Sequence, residues 1–230
     1  MRRHVTATCA SGDVVLGGGW SLDDPLARVT SSFPASASAW TITAHDEGQD
    51  GGSHPVTVTA YAECLHANFA AGVNPVSSTP NIAPGGNPQA EHVDCPSGTV
   101  LTGGGVRGVE ATVETTPTGN GWTAQLFVQQ GSSNKPELFA VCAASHLASA
   151  GLVNATTQFQ ANNNADVSAS CPSGTLLAGG GVNVDADTIS SLAANSGMTK
   201  WQAHISNAGY YGGPPINYHA TLTAICLSVS

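Results

Sequence analysis

Charge is what this sequence has least of. Only 9% of its 230 residues are charged, where an average soluble domain has roughly a quarter. Two lysines and four arginines cannot build the phosphate-tracking surface that nucleic acids require, which removes DNA and RNA as partners. No apolar run exceeds a handful of residues, so no segment spans a bilayer as a helix. Catalytic signatures are missing too. There is no GxSxG elbow, HExxH helix, nucleotide-binding glycine loop or flavin fingerprint, and the chain reads as a non-enzyme. Low charge and 27 glycines would suit a disordered or collagen-like polymer, but 41% hydrophobic residues is too many for either. What is left is a folded, weakly acidic chain of net charge −9.

What is present is a threefold repeat. CASGDVVLGGGW begins at Cys9, CPSGTVLTGGGV at Cys95 and CPSGTLLAGGGV at Cys171. A tryptophan follows each glycine triplet, at Trp40, Trp122 and Trp201, and a second cysteine closes each unit, at Cys64, Cys142 and Cys226. The units span residues 5–65, 90–146 and 166–228 of one domain. Each reads as four short strands: one ending at the leading cysteine, one running into the glycines, one holding the tryptophan, and one holding the closing cysteine. In the last of these, Val56, Val58, Ala60, Ala62 and Cys64 alternate onto an inward face, with Thr57, Thr59, Tyr61 and Glu63 on the outward one. Three consecutive glycines in a strand are tolerable where backbones approach closely or a strand bulges and bends.

Six cysteines allow fifteen pairings, but a contact that must work three times selects Cys9–Cys64, Cys95–Cys142 and Cys171–Cys226. Each bridge would contribute about 4 kcal/mol in the chain-entropy model. Buried free thiols are the alternative; a metal fits less well, since there is no CxxC pair. Disulfides imply an oxidising, extracellular setting. The opening MRRHVTATC has no apolar stretch behind its arginines and so does not read as a signal peptide; either a leader has been removed or the chain is a fragment. The connectors at 66–90 and 147–165 each hold an extra strand, near Val76 and Thr157. The first unit lacks that segment, and a neighbouring subunit is a candidate to supply it through an open sheet edge.

The variable loops are where binding is expected. Tyr210 and Tyr211, between glycines, either stack on a sugar or partner or fold back on the strands. Asp23, Asp24, Glu110, Asp185 and Asp187 recur after the glycine triplets, where they serve as sugar or calcium ligands or as solvated turn residues. His45, Asp46, Glu47, Asp50 and His54 form the densest polar cluster, a weak candidate for a divalent cation.

The CPSGTxLxGGG segments, with the tryptophan strand and a closing AYAEC or TAIC, resemble tandem cysteine repeats of secreted bacterial proteins, a group without a settled activity. In architecture the chain also resembles, distantly, the β-prism of vitelline membrane outer layer protein I and the jacalin-type lectins. That resemblance implies an all-β, β-prism-like fold with pseudo-threefold symmetry; a β-trefoil is the alternative. It also implies an extracellular, lectin-like carbohydrate-binding module acting through its loop tips. A structural protein that self-assembles into a surface layer or filament is the other expectation, for which low charge is suitable.

Overall fold

The computed structural model describes residues 2–24, 27–46, 56–66, 68, 72–108, 111–133, 135–144, 147–160, 163–184, 189–206 and 217–229. Every regular element among them is a strand. The first unit holds β1 (Arg2–Thr8), β2 (Asp13–Leu22), β3 (Ala27–Ser36), β4 (Ala39–Asp46) and β5 (Val58–His66). The second holds β6 (Asn74–Ser78), β7 (Gln89–Asp94), β8 (Thr99–Arg107), β9 (Ala111–Thr118), β10 (Gly121–Phe127) and β11 (Glu137–Ala144). The third holds β12 (Leu147–Gln160), β13 (Ala165–Ser170), β14 (Leu176–Val184), β15 (Ile189–Ala194), β16 (Lys200–Ile205) and β17 (Asn217–Val229). The all-β class and all three intra-unit disulfides match the sequence expectation.

Two expectations need correction. Leaving aside β6 and β12, which precede their units, each unit has five strands where four were expected, the extra ones being β3, β9 and β15. These are rich in Ser and Thr, and two contain a proline, which argues against a strand interior. They exist because each forms a hairpin with the tryptophan strand after it. Their far edges pair at only one or two positions, so few N–H groups are missed there. The leading strands near Val76 and Thr157 are present as β6 and β12. The second correction concerns Glu63, expected on the outward face of its strand but only 2% exposed; its surroundings are given below.

The repeats are not sheets. Each sheet joins half of one unit to half of the next, in the orders β1-β4-β3-β8-β11-β6, β7-β10-β9-β14-β17-β12 and β13-β16-β15-β2-β5. The last of these closes the ring between the third unit and the first. Each unit therefore sends its first, third and fourth strands into one sheet and its glycine and closing strands into another.

Each position of a glycine triplet has its own steric reason. The first glycines meet at the centre of the molecule. A Cβ on Gly17 would lie 2.6 Å from the Ala178 carbonyl oxygen and one on Gly179 would lie 2.9 Å from that of Thr102, while one on Gly103 would strike that of Leu16. This cyclic contact is the pseudo-threefold axis. The residues before these glycines, Leu16, Thr102 and Ala178, are skipped in the pairing with β5, β11 and β17, a bulge repeated three times. The second glycines lie against the buried indoles of Trp40, Trp122 and Trp201. The third glycines lie under the backbones of Leu192, Ser32 and Thr115, which belong to the neighbouring unit. One glycine thus admits the axis, one the tryptophan and one the strand exchange.

Candidate functional site

Threefold repetition provides an internal control, because any position can be compared with its two counterparts. The strands carrying the closing cysteines are β5, β11 and β17. On the side away from the glycine strand, β11 pairs with β6 and β17 with β12. Among the described residues no strand pairs with that side of β5, which is the edge of its sheet. The consequence shows in burial. Leu138, Ala140 and Cys142 in β11, and Leu222, Ala224 and Cys226 in β17, are at most 2% exposed. Their counterparts Ala60, Ala62 and Cys64 are half-buried. Tyr61, 40% exposed, stands on the opposite face and meets the Ser21 hydroxyl at 3.2 Å.

The same sheet holds the buried carboxyl. Glu63 precedes its closing cysteine as Val141 and Ile225 precede theirs, and those two residues are buried aliphatics. Glu63 lies in register with Gly17, so its side chain meets no neighbour from β2 and reaches across to β15. There it accepts the N–H of Ala194, as well as its own N–H. Ala194 lies opposite Trp201, where Pro34 and Pro117 lie opposite Trp40 and Trp122. A proline has no N–H to satisfy, and in those two sheets the residue at the place of Glu63 is aliphatic, Val141 or Ile225. An alanine has one, and its facing residue is a carboxyl. The two departures from symmetry compensate each other. Burial pushes the Glu63 carboxyl up from 4.5 to about 7, with the two N–H groups pulling the other way.

Three buried side-chain polar atoms lack a hydrogen-bond partner among the described residues: Glu63 Oε2, Trp20 Nε1 and Trp201 Nε1. All belong to this five-stranded sheet. Trp40 donates to Ser32 Oγ at 3.0 Å and Trp122 to Thr115 Oγ1 at 2.6 Å. Leu192 holds the matching position for Trp201 and has no hydroxyl. Leu192 is also the residue in register with Trp20. The ring is therefore least regular, and least satisfied, where its last unit meets its first. These groups, a carboxyl and two indoles, mark the junction between the last unit and the first.

The sequence-derived loop residues fare unevenly. Asp23 lies where two loop families meet, accepting the Thr57 N–H on Oδ1 at 2.7 Å and donating its own N–H to the Thr57 carbonyl at 3.3 Å. A hydrogen bond from the Thr57 side chain, and after it the Thr57 N–H, holds its carboxyl below the usual range. In the second unit the backbone of Gly108 comes close to that of Lys135, while the Gly108 N–H donates to Ser31 Oγ at 3.1 Å. Asp24 accepts the Ala27 N–H on its carbonyl at 3.2 Å. His45 and Asp46 end β4, and His45 lies in register between Arg2 and Arg28, two cations that work against a metal there. No group of three or more metal-ligating side chains occurs among the described residues. Glu47, Asp50, His54, Glu110, Asp185, Asp187, Tyr210 and Tyr211 lie outside the described residues.

Sequence reasoning missed Glu63 although the signal was there. Aligning the units on their closing cysteines sets Glu63 beside Val141 and Ile225. Its partner Ala194 had no such signal, because the tryptophan lies six residues after Pro34, five after Pro117 and seven after Ala194. No protein-family model matches the chain, and no curated protein matches it.

Proposed function

We propose that this chain is a non-enzymatic, extracellular structural module on a β-prism-like frame, which joins with further chains into a surface layer or filament. The observation that carries this reading is the five-stranded sheet, in which, among the described residues, no strand pairs with the outer side of β5 where both counterparts are covered. An unpaired strand edge is a template for strand addition. Three disulfides fit an oxidising setting, and low charge lets like copies approach. The test is light scattering across a concentration series, with negative-stain imaging. Ordered assemblies support the reading, and a monomer at all concentrations refutes it.

A lectin-like, carbohydrate-binding role is the second reading, favoured by the Asp23–Thr57 junction. That contact brings the loop after the glycine strand and the loop before the closing strand to one rim, as the Gly108–Lys135 approach does in the second unit. On a glycan array, binding that is lost in Tyr210→Ala and Tyr211→Ala supports this reading; silence across the array removes it.

A further inference from the structure

We infer that the outer side of β5 is a slot for a single extended, uncharged peptide segment, bound antiparallel with a valine opposite Ala62. The inference rests on the reading of the chain as an assembling module and adds the occupant and its register.

The argument starts from the two slots that are filled. Opposite Ala140 lies Val76 of β6, and opposite Ala224 lies Val153 of β12. Two residues along on one side come Ser78 and Ala155, opposite Leu138 and Leu222; on the other side Asn74 and Gly151 lie opposite Cys142 and Cys226. The face towards the core thus takes valine between small residues in both strands. The other face takes Pro75 or Leu152 opposite Val141 or Ile225, and Ser77 or Asn154 opposite Phe139 or Thr223. Neither β6 nor β12 contains a charged residue. The first unit keeps the alanine and the cysteine as Ala62 and Cys64, has Ala60 in place of Leu138 and Leu222, and leaves all three half-buried. Burying that strip against one valine and its neighbours adds apolar contact to the backbone ladder.

The walls decide what kind of occupant fits. β12 is paired with β17 and packs against β13; β6 is paired with β11 and packs against β7. In the first unit β1 lies beside β5 as β7 and β13 lie beside their closing strands, and Cys9 is bridged to Cys64. With β1 beside it, β5 can receive one added strand in the place that β6 and β12 take in the other units. Of the other strands that end a sheet, β1 carries Arg2 and Arg3, β7 Glu91 and Asp94, β13 Asp166 and β6 Pro75, while β12 carries no charge and packs against β13. From Val58 to Leu65 the only charged side chain is Glu63, which is turned inward. Edge strands that must stay unpaired normally carry charge or proline, and this one does not.

The probe is a synthetic peptide with the sequence of residues 151–160, GLVNATTQFQ, offered to the intact, oxidised protein. Amide exchange by NMR should show new protection along β5, with Val153 of the peptide opposite Ala62. A peptide carrying Val153→Asp should bind at least about tenfold more weakly, since it loses the buried valine and must desolvate a charge. Ala62→Arg in the protein should block binding while leaving the thermal midpoint close to that of the parent. No binding at millimolar peptide, protection elsewhere than β5, or equal binding of the aspartate peptide would overturn the inference. The two readings fail separately. A peptide that binds a permanently monomeric protein removes the assembly reading alone, and ordered assemblies that neither bind nor release the peptide remove the slot.

Discussion

Replacing Glu63 should alter how stability depends on pH, in a direction and by an amount that follow from its position. The carboxyl is 2% exposed and held at about 7, against 4.5 for an ordinary glutamate. A folded-state value above the unfolded one means that the folded state binds the proton more tightly. The stabilisation from this proton is complete below about pH 4.5 and is lost as pH rises through 7. The gap corresponds to about 3 kcal/mol between the two ends of that window, a large share of the 5–15 kcal/mol typical of a folded domain. Urea unfolding of the oxidised protein and of Glu63→Gln, at intervals from pH 4.5 to 8, isolates the effect, since all other carboxyls cancel in the difference. The parent should lose about 3 kcal/mol more than the variant over this range. Glu63→Val should be flat in the same sense but should orphan the Ala194 N–H, at a cost of about 1–3 kcal/mol. Adding Ala194→Pro copies the pairing of Val141 with Pro34 and of Ile225 with Pro117, and should recover that loss. Parallel pH profiles for the parent and Glu63→Gln would refute the buried-carboxyl account. Strictly additive effects of Glu63→Val and Ala194→Pro would refute the claim that the two positions compensate.

Two further predictions follow from the triplets and the bridges. Gly105→Ala should prevent folding or cost more than about 3 kcal/mol, because a Cβ there strikes the Ser32 carbonyl oxygen; Gly98→Ala, in a turn with φ +82° and open space, should cost only about 1 kcal/mol. Folding yield and thermal midpoints of the two variants check this, and a well-folded Gly105→Ala would remove the close-approach argument. Under mild reductant the Cys95–Cys142 bridge should persist longest, since both its cysteines are buried, whereas Cys64 and Cys171 are half-buried. Partial reduction, alkylation and peptide mass mapping read the order, and early loss of Cys95–Cys142 contradicts it.

Some of this architecture is local and some is not. Alternation, the repeated cysteines and the repeated glycines carry period and symmetry directly in the sequence. They specified an all-β chain, three units and the bridge inside each. β3, β9 and β15 were illegible because their strand character comes from the hairpin with the tryptophan strand and not from their own pattern, and proline and serine conceal it. Glu63 was misplaced for a related reason. Alternation tells which side of a strand a residue takes, but whether that side meets water depends on what crosses above it.

The sequence by itself therefore determined composition, repeat and covalent pairing, since each depends on residues that recur at near-fixed spacing. Only the tertiary structure decided that units exchange strands, that each glycine of a triplet has a separate task, and that the seam between last and first units carries the buried carboxyl and the open edge. Those features arise from contacts between distant segments, where the backbone of one unit passes over the glycines of the next, and no pattern within either segment encodes that crossing.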